Sequence, residues 1–427
     1  LRYPDIKDSI IFNLWLARKI AYKARQQAYK NGRIPSRFLS NDFSMHVLFV
    51  LPGPLDSNNG YHVQHYVHRL ELLGVRCQVA VGDVFFVERE DIETVAFSDV
   101  LESENGFSCD LIHAWTPREI IRKFVEQVRL KRKVPLVIHL EDNEEYLAEA
   151  TIGKAFEELK TLSEDVLDDF VPENCYHPIR GRHFLDQAQG TSVIIKTLAR
   201  FNSGPSLFVL PPPVDERLFH PRPLNEDLRS QLEIAQGTLV FAYTGNVHSG
   251  NVGEVGELYK AVAILNAQEM SSVLLRTGQD SKVLEFDWDR SHEIQLGWVK
   301  RERIPEILSA ADVLVQPGEP SSFNDQRIPS KLPEYFAMGR PVILPQTNLG
   351  MVVTHGRDAY VLQNADAHGI VRAVREICGN IELRDRLSRG ARSFYEKELA
   401  SDRVVPDLLR FYGNLVFDCH VSNQLAK

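Results

Sequence analysis

"QRIPSKLPEYFAMGRPVILPQTNLG", residues 326–350, is the stretch from which the fold can be read. Ser330 is placed to cap a helix, because its hydroxyl can accept from the open amides of a first turn. Pro333 is tolerable only near a helix start, where its missing N–H is no loss. Gly339 suits the left-handed residue that ends a helix. Residues 331–338 therefore read as about two turns of helix, and PVILP after them as a short apolar strand. Lys331 and Glu334 are three apart and share a face. A lysine at a helix start opposes the helix dipole, and an anion bound there would remove the conflict. The plain alternative is a solvated Lys–Glu pair on a surface helix.

Working outward, the same grammar fills most of the chain. Short apolar runs alternate with helical stretches from residue 45: MHVLFVLPG, GVRCQVAVG, CDLIHAW, VPLVIHL, TSVIIKT and LFVLPPP. PPPVDERLFHP (211–221) interrupts them with a proline cluster that reads as a linker. The grammar restarts at GTLVFAYTG and continues through SSVLLRTG, EIQLGWV, ADVLVQPG, RPVILP and DAYVLQ. This is the pattern of parallel sheets with crossover helices. It predicts an N-terminal Rossmann-like domain over 45–210, a linker over 211–236, a second such domain over 237–395 and a closing helical segment over 396–427. Ligands of such sheets sit at the carboxyl ends of the strands.

A chain of 427 residues is too long for one ordinary core, and 44% hydrophobic with 25% charged residues is a globular composition. The net charge of −9 excludes general nucleic-acid binding. Cys77, Cys109, Cys175, Cys378 and Cys419 show no C-x-x-C spacing, which argues against a zinc site or a disulfide framework and suits a reducing cytosol. No apolar run approaches the roughly 20 residues of a membrane span. No signal peptide is recognised, and a start at Leu1 suits a piece of something longer. Residues 1–44 stand apart, with nine Lys/Arg against three Asp. Residues 9–30 read as a basic amphipathic helix through Ile10, Ile11, Leu14, Trp15, Ala21 and Tyr22. Two readings stay open for it: a helix on an anionic membrane surface, or one docked on the protein's own acidic body.

Two such domains joined by VLPPPVDERLFHP, followed in order by LVFAYTGNV, GWVKRERIPEILSAADVLVQPG and PEYFAMGRPVI, resemble the retaining glycosyltransferases of family 4, which have the GT-B fold of two facing doubly wound domains. The resemblance covers about 45–415 and is strongest over 237–350. It implies transfer of a sugar from a nucleotide-sugar donor to a glycan, lipid-linked or other hydroxyl acceptor. It also implies retained configuration, no metal and no cofactor. Glu334 falls on the family's second E-x7-E glutamate, which bonds the ribose hydroxyls. Gly60, in LPGPLDSNNGYHVQH (51–65), falls in its glycine-rich loop near the donor phosphate; a plain strand–helix turn is the other reading. The base is expected beside Trp298 or Val299, though Trp298 suits a core equally well.

The sequence departs from the family where charge is needed. The first E-x7-E glutamate becomes Gln326. The diphosphate-binding Arg and Lys become Asn246 and Asn251, after Gly245. That leaves His248, Arg327 and Lys331 to meet the leaving diphosphate, with Ser330 at the same helix start. On the N-terminal side CDLIHAW and VIHLEDNEEYL place His113, His139, Glu141 and Asp142 at strand ends, where family members carry a His or Asp facing sugar and acceptor. His139, Asp142 and Lys331 are thus the expected catalytic set; satisfied loop residues are the alternative for the first two. The expected location is the cytoplasm, at the inner membrane face if 1–44 binds lipid. A catalytically silent GT-B module that binds sugar nucleotide or glycan is the competing reading. A dehydrogenase or P-loop enzyme fits poorly, because GNVHSG has neither G-x-G-x-x-G nor a G-K-[ST] ending.

Overall fold

The computed structural model describes residues 22–23, 25–31, 39, 44–103, 107–202, 204–281 and 288–425. The chain divides into two compact units: Leu1–Pro213 with Ser401–Lys427, and Val214–Ala400. The first unit holds β1 (Met45–Val50), β2 (Val75–Val81), β3 (Thr94–Ala96), β4 (Leu111–Trp115), β5 (Leu136–Leu140), β6 (Gly190–Val193) and β7 (Leu207–Val209). They form one sheet in the order β3-β2-β1-β4-β5-β6-β7, and every neighbouring pair is parallel. The inner strands are buried along nearly their whole length, which is why they read as unbroken apolar runs. Three-residue β3 has no such run and escapes the sequence pattern.

The second unit repeats the design with β8 (Leu239–Tyr243), β9 (Ser272–Arg276), β10 (Glu293–Gln295), β11 (Val313–Val315), β12 (Val342–Pro345) and β13 (Tyr360–Leu362). Their order is β10-β9-β8-β11-β12-β13, again all parallel. In each sheet the chain builds outward from one central strand and then jumps back to build the other way. Right-handed crossovers put the two sets of helices on opposite faces. The loops leaving β1 and β4, and those leaving β8 and β11, therefore part from each other at the carboxyl edge. Such a gap is where a ligand fits in an open parallel sheet.

The helix Lys331–Met338 ends as the sequence predicts, on Gly339 at φ 64° and ψ 36°. Its start differs. Ser330 has helical backbone angles and makes no side-chain cap. The turn has already begun at Pro329, whose carbonyl accepts from the Leu332 amide at 2.9 Å, so Ser330 lacks the extended backbone a cap requires. Two side chains then dock the helix on the end of β8: the Tyr335 hydroxyl accepts from the Thr244 amide at 3.2 Å, and Lys331 reaches Tyr243.

The segment expected as a separate closing helix returns to the first unit. Val404, Val405, Leu408, Leu409, Tyr412 and Leu415 of the helix Ser401–Leu425 are buried in one core with Leu70, Val79 and Trp115. Gly190 opens β6 because a Cβ there would lie 2.6 Å from the Phe411 ring. The expected linker is shared out too: residues from Val214 onward belong to the second unit, and Phe219 is fully buried there. Residues 25–30 are helical, and Ala28 is buried in the first unit's core. Most of the helix expected over 9–30 lies outside the described residues.

A buried polar bond ties the closing helix to the sheet, between the Tyr412 hydroxyl and His113 Nδ1 at 2.6 Å. Tyr412→Phe leaves that imidazole nitrogen without its partner inside the core. The expected cost is about 1–3 kcal/mol, seen as a fall of several degrees in thermal unfolding with nucleotide affinity unchanged. An unchanged melting curve removes this bond from the account of the core.

Candidate active site

In the second unit the β8 and β11 loops meet the start of the helix Lys331–Met338. Gly245 (φ 123°) and Gly278 (φ 88°) turn the chain after β8 and β9, and a Cβ on Gly278 would lie 2.5 Å from the Gly245 carbonyl carbon. Only glycine allows two turns to pass so close. Asn246 Oδ1 accepts from the Gln279 amide at 2.8 Å. Asn251 donates to the Asn246 carbonyl at 3.0 Å and accepts from the His248 amide at 2.8 Å. The two asparagines thus tie the β8 loop to itself and to the turn after β9.

Positive charge comes from elsewhere. Lys331 donates to the Tyr243 hydroxyl at 2.9 Å, with its ammonium 4.1 Å from the ring centroid. Burial pulls that ammonium down to about 8, with Arg327 and Arg276 pushing the same way and Tyr335 and Glu254 opposing. Lys331 is therefore mostly charged at neutral pH. Arg327 stacks on Phe323, donates to Asn324 Oδ1 at 3.0 Å and lies 3.8 Å from Glu254. Glu254 accepts from Asn324 Nδ2 at 2.6 Å, and burial pushes its carboxyl up. His248 is exposed, yet partial desolvation and then Arg327 and Lys331 push it below the usual histidine value. This favours the neutral imidazole, whose Nδ1 accepts from the Gly250 amide at 3.1 Å.

Glu334 is buried, and its Oε1 accepts from Arg301 at 2.6 Å. Arg301 in turn lies over the Phe219 ring. Lys331 and Glu334 are thus drawn to different partners, the end of β8 and the turn after β10. Trp298, beside Gly297 (φ 67°), is 70% exposed, which answers the core alternative and leaves an open aromatic face. Val299 is half-buried, Gln326 is buried and Ser330 is exposed. Sequence reasoning missed Tyr243, Arg301 and Glu254. Tyr243 hides as the last letter of an apolar strand, and Arg301 stands 33 positions from its partner.

The first unit gives a different result. Gly60 lies in the first turn of the helix Asn58–Glu71, and its amide already donates to Ser57 Oγ at 3.1 Å. A Cβ there would lie 2.3 Å from the Leu55 carbonyl oxygen, so this glycine is needed for packing. His139 sits inside β5 rather than on a loop. It is buried, its Nδ1 pairs with Ser192 Oγ at 2.9 Å, and its ring lies 4.0 Å from that of Trp115. Burial, then His113 and His62, hold it well below the ordinary histidine value. His113 is likewise buried, and pushed down to about 3. Both behave as neutral core groups, which corrects the expectation that they face a ligand. Asp142 is half-buried just past β5. Beside it, Glu141 and His62 form a buried pair at 2.6 Å that the sequence does not announce.

Among the described residues no group of three or more His, Cys, Asp or Glu is placed to hold a metal ion, and no helix is long and apolar enough to cross a membrane. Residues 238–380 match the family described as "Glycosyl transferases group 1". No curated protein sequence matches. Among solved structures, sucrose-phosphate synthase from Thermosynechococcus elongatus is similar at 14% identity and a TM-score of 0.63, over 87% of this chain and 99% of that one. HepE from Anabaena, solved in complex with UDP-glucose, gives 14%, 0.60, 88% and 100%. A glycosyltransferase from Rickettsia africae gives 12%, 0.60, 87% and 99%. The fold is GT-B, and the second unit carries a glycosyltransferase domain, the domain of an enzyme.

Glu334→Ala removes the carboxylate and its bond to Arg301. Nucleotide affinity measured by titration calorimetry is expected to fall by about tenfold or more, the worth of a hydrogen bond to a charged group. Glu334→Gln keeps one acceptor oxygen and is expected to lose less. Wild-type affinity in Glu334→Ala would take Glu334 out of the site.

Proposed function

We propose that the chain is a glycosyltransferase that moves a sugar from a nucleotide-sugar donor to a hydroxyl acceptor, carbohydrate or lipid-linked. It acts with retention at the anomeric carbon and without a divalent metal. The observation that carries this reading is that Lys331, bonded to the end of β8, and Arg327, on the loop after β11, are near enough to act on each other's charge, inside a domain that matches the group 1 glycosyl transferases. Glu334 stands one helical turn further on. In the reaction the bond from the anomeric carbon to the diphosphate oxygen breaks and the diphosphate keeps the electron pair. The acceptor oxygen bonds to the anomeric carbon and gives up its proton. Charge on the diphosphate grows towards the transition state, so fixed cations there speed the chemical step. In this reading Lys331 and Arg327 take that role, Glu334 holds the ribose and Trp298 offers a face to the base.

Donor turnover tests the proposal. UDP, GDP, ADP and CMP with their sugar conjugates are screened by thermal shift, UDP-glucose first because HepE binds it. Saturating ligand is expected to add roughly 2–3 kcal/mol of stability. The selected donor is expected to turn over in EDTA, and Lys331→Met to cost about 10²–10³ in rate. Loss of turnover in EDTA, restored by Mg²⁺ or Mn²⁺, overturns metal independence. A second reading is a silent binding module, favoured by two uncharged asparagines, both bonded to the protein, on the β8 loop. Binding without hydrolysis or transfer would select it.

The place of action in this proposal is the cytoplasmic side of a membrane, reached through the basic segment 1–44. Flotation on anionic liposomes is expected to recover the full chain and to lose it when 1–44 is deleted. Equal recovery of the two rejects the membrane role.

A further inference from the structure

A lysine is a poor tool for stabilising charge at one point. Its ammonium is compact, but it rides on a flexible four-carbon stem. Lys331 escapes that limit because its far end is tethered. Nζ donates to the Tyr243 hydroxyl at 2.9 Å. Tyr243 is the last residue of β8 and only 1% exposed. Its ring is fixed from the neighbouring strand as well: the Arg276 guanidinium lies 5.2 Å from the centroid, is fully buried, and is held by Asp280 at 2.7 Å. The tether therefore ends on a post that cannot move without disturbing two strands. The turn after β8 passes close by, since a Cβ on Gly245 would lie 3.4 Å from Lys331 Cε and 3.7 Å from Nζ.

We propose that Tyr243 is a positioning residue, whose hydroxyl fixes the Lys331 ammonium against the Gly245–His248 turn, where the diphosphate of a nucleotide donor takes up charge. This rests on the reading of Lys331 given above. The helix start supplies Lys331 but not its direction; the phenol at the end of β8 does. Burial pushes the Tyr243 phenol up, so it stays neutral over the working range and acts as an acceptor for the ammonium. The charged and titratable groups that bear on the ammonium come from every surrounding element. Arg276 is on β9, Glu254 on the helix after the β8 loop, Arg327 on the loop before Lys331, Tyr335 one turn along the same helix and His248 on the β8 loop.

Tyr243→Phe tests the tether, because it keeps the ring and removes only the oxygen. Two readouts are taken on the full chain. The first is hydrolysis of UDP-glucose, where kcat is expected to fall about tenfold while KM changes less than about threefold. The second is UDP affinity by calorimetry from about pH 6 to about pH 10. Wild-type affinity is expected to hold at low pH and to fall as Lys331 loses its proton near 8. Loss of the accepting oxygen disfavours the ammonium, so the midpoint in Tyr243→Phe moves to lower pH. The variant Tyr243→Phe/Lys331→Met is expected to be no slower than Lys331→Met alone, because Tyr243 acts through the lysine. Wild-type kcat in Tyr243→Phe, or a slower variant with an unmoved midpoint, overturns the positioning role. A slow Lys331→Met beside a wild-type Tyr243→Phe overturns it alone. Wild-type rates in Lys331→Met, or no binding of UDP, GDP, ADP or CMP by the wild type, overturn it together with the reading of Lys331.

Discussion

Parallel strands cannot be joined by a tight turn; the chain must climb back along one face of the sheet before it can add the next strand. Everything else in this protein follows from that constraint. Both faces must be covered, so the strands can be short, apolar and buried. Every loop that carries polar residues is forced to one edge or the other. Because each sheet grows first one way and then the other, two neighbouring loops diverge at the carboxyl edge. In the second unit those two loops carry Asn246, His248, Asn324 and Arg327, and the helix that follows brings Lys331 and Glu334 to the same edge.

At that edge the loop's own bonding and its positive charge fall to different side chains. Asn246 Oδ1 accepts from the turn after β9, and Asn251 bonds within the β8 loop and to Tyr243. The positive charge is carried by Lys331 and Arg327, each held by a partner that limits its motion: Tyr243 in one case, Asn324 and Phe323 in the other. Glu254 sits among them as a resident counter-charge, pushed towards its neutral form by burial. Donors and charges fixed before the substrate arrives need no reorganisation during the reaction.

The architecture was legible because it rests on local signals. Buried strands show as apolar runs, and Gly339 ends its helix for a reason visible in one residue. The candidate site was legible only in part. Lys331 and Glu334 stand out by their spacing, but Tyr243 lies 88 positions from the lysine it holds, and no local pattern marks the pairing. His139 failed for a related reason. A histidine near the end of an apolar strand looks the same in sequence whether it faces solvent or, as here, a tryptophan and a serine in the core. The closing helix was legible as a helix but not in its destination, since an apolar stripe says that a face is buried and not against what.

That destination makes the second unit an insertion within the first. The chain leaves the first unit at Pro213 and returns at Ser401. On a ribosome, strands β1 to β7 emerge long before Leu408, Leu409 and Tyr412, which complete their core. All of 214–400 is contiguous and is synthesised before that helix appears. The unit that is made first therefore finishes folding last, and its uncovered apolar face must wait out the synthesis of an entire neighbour, reversing the usual amino-to-carboxyl order of domain folding.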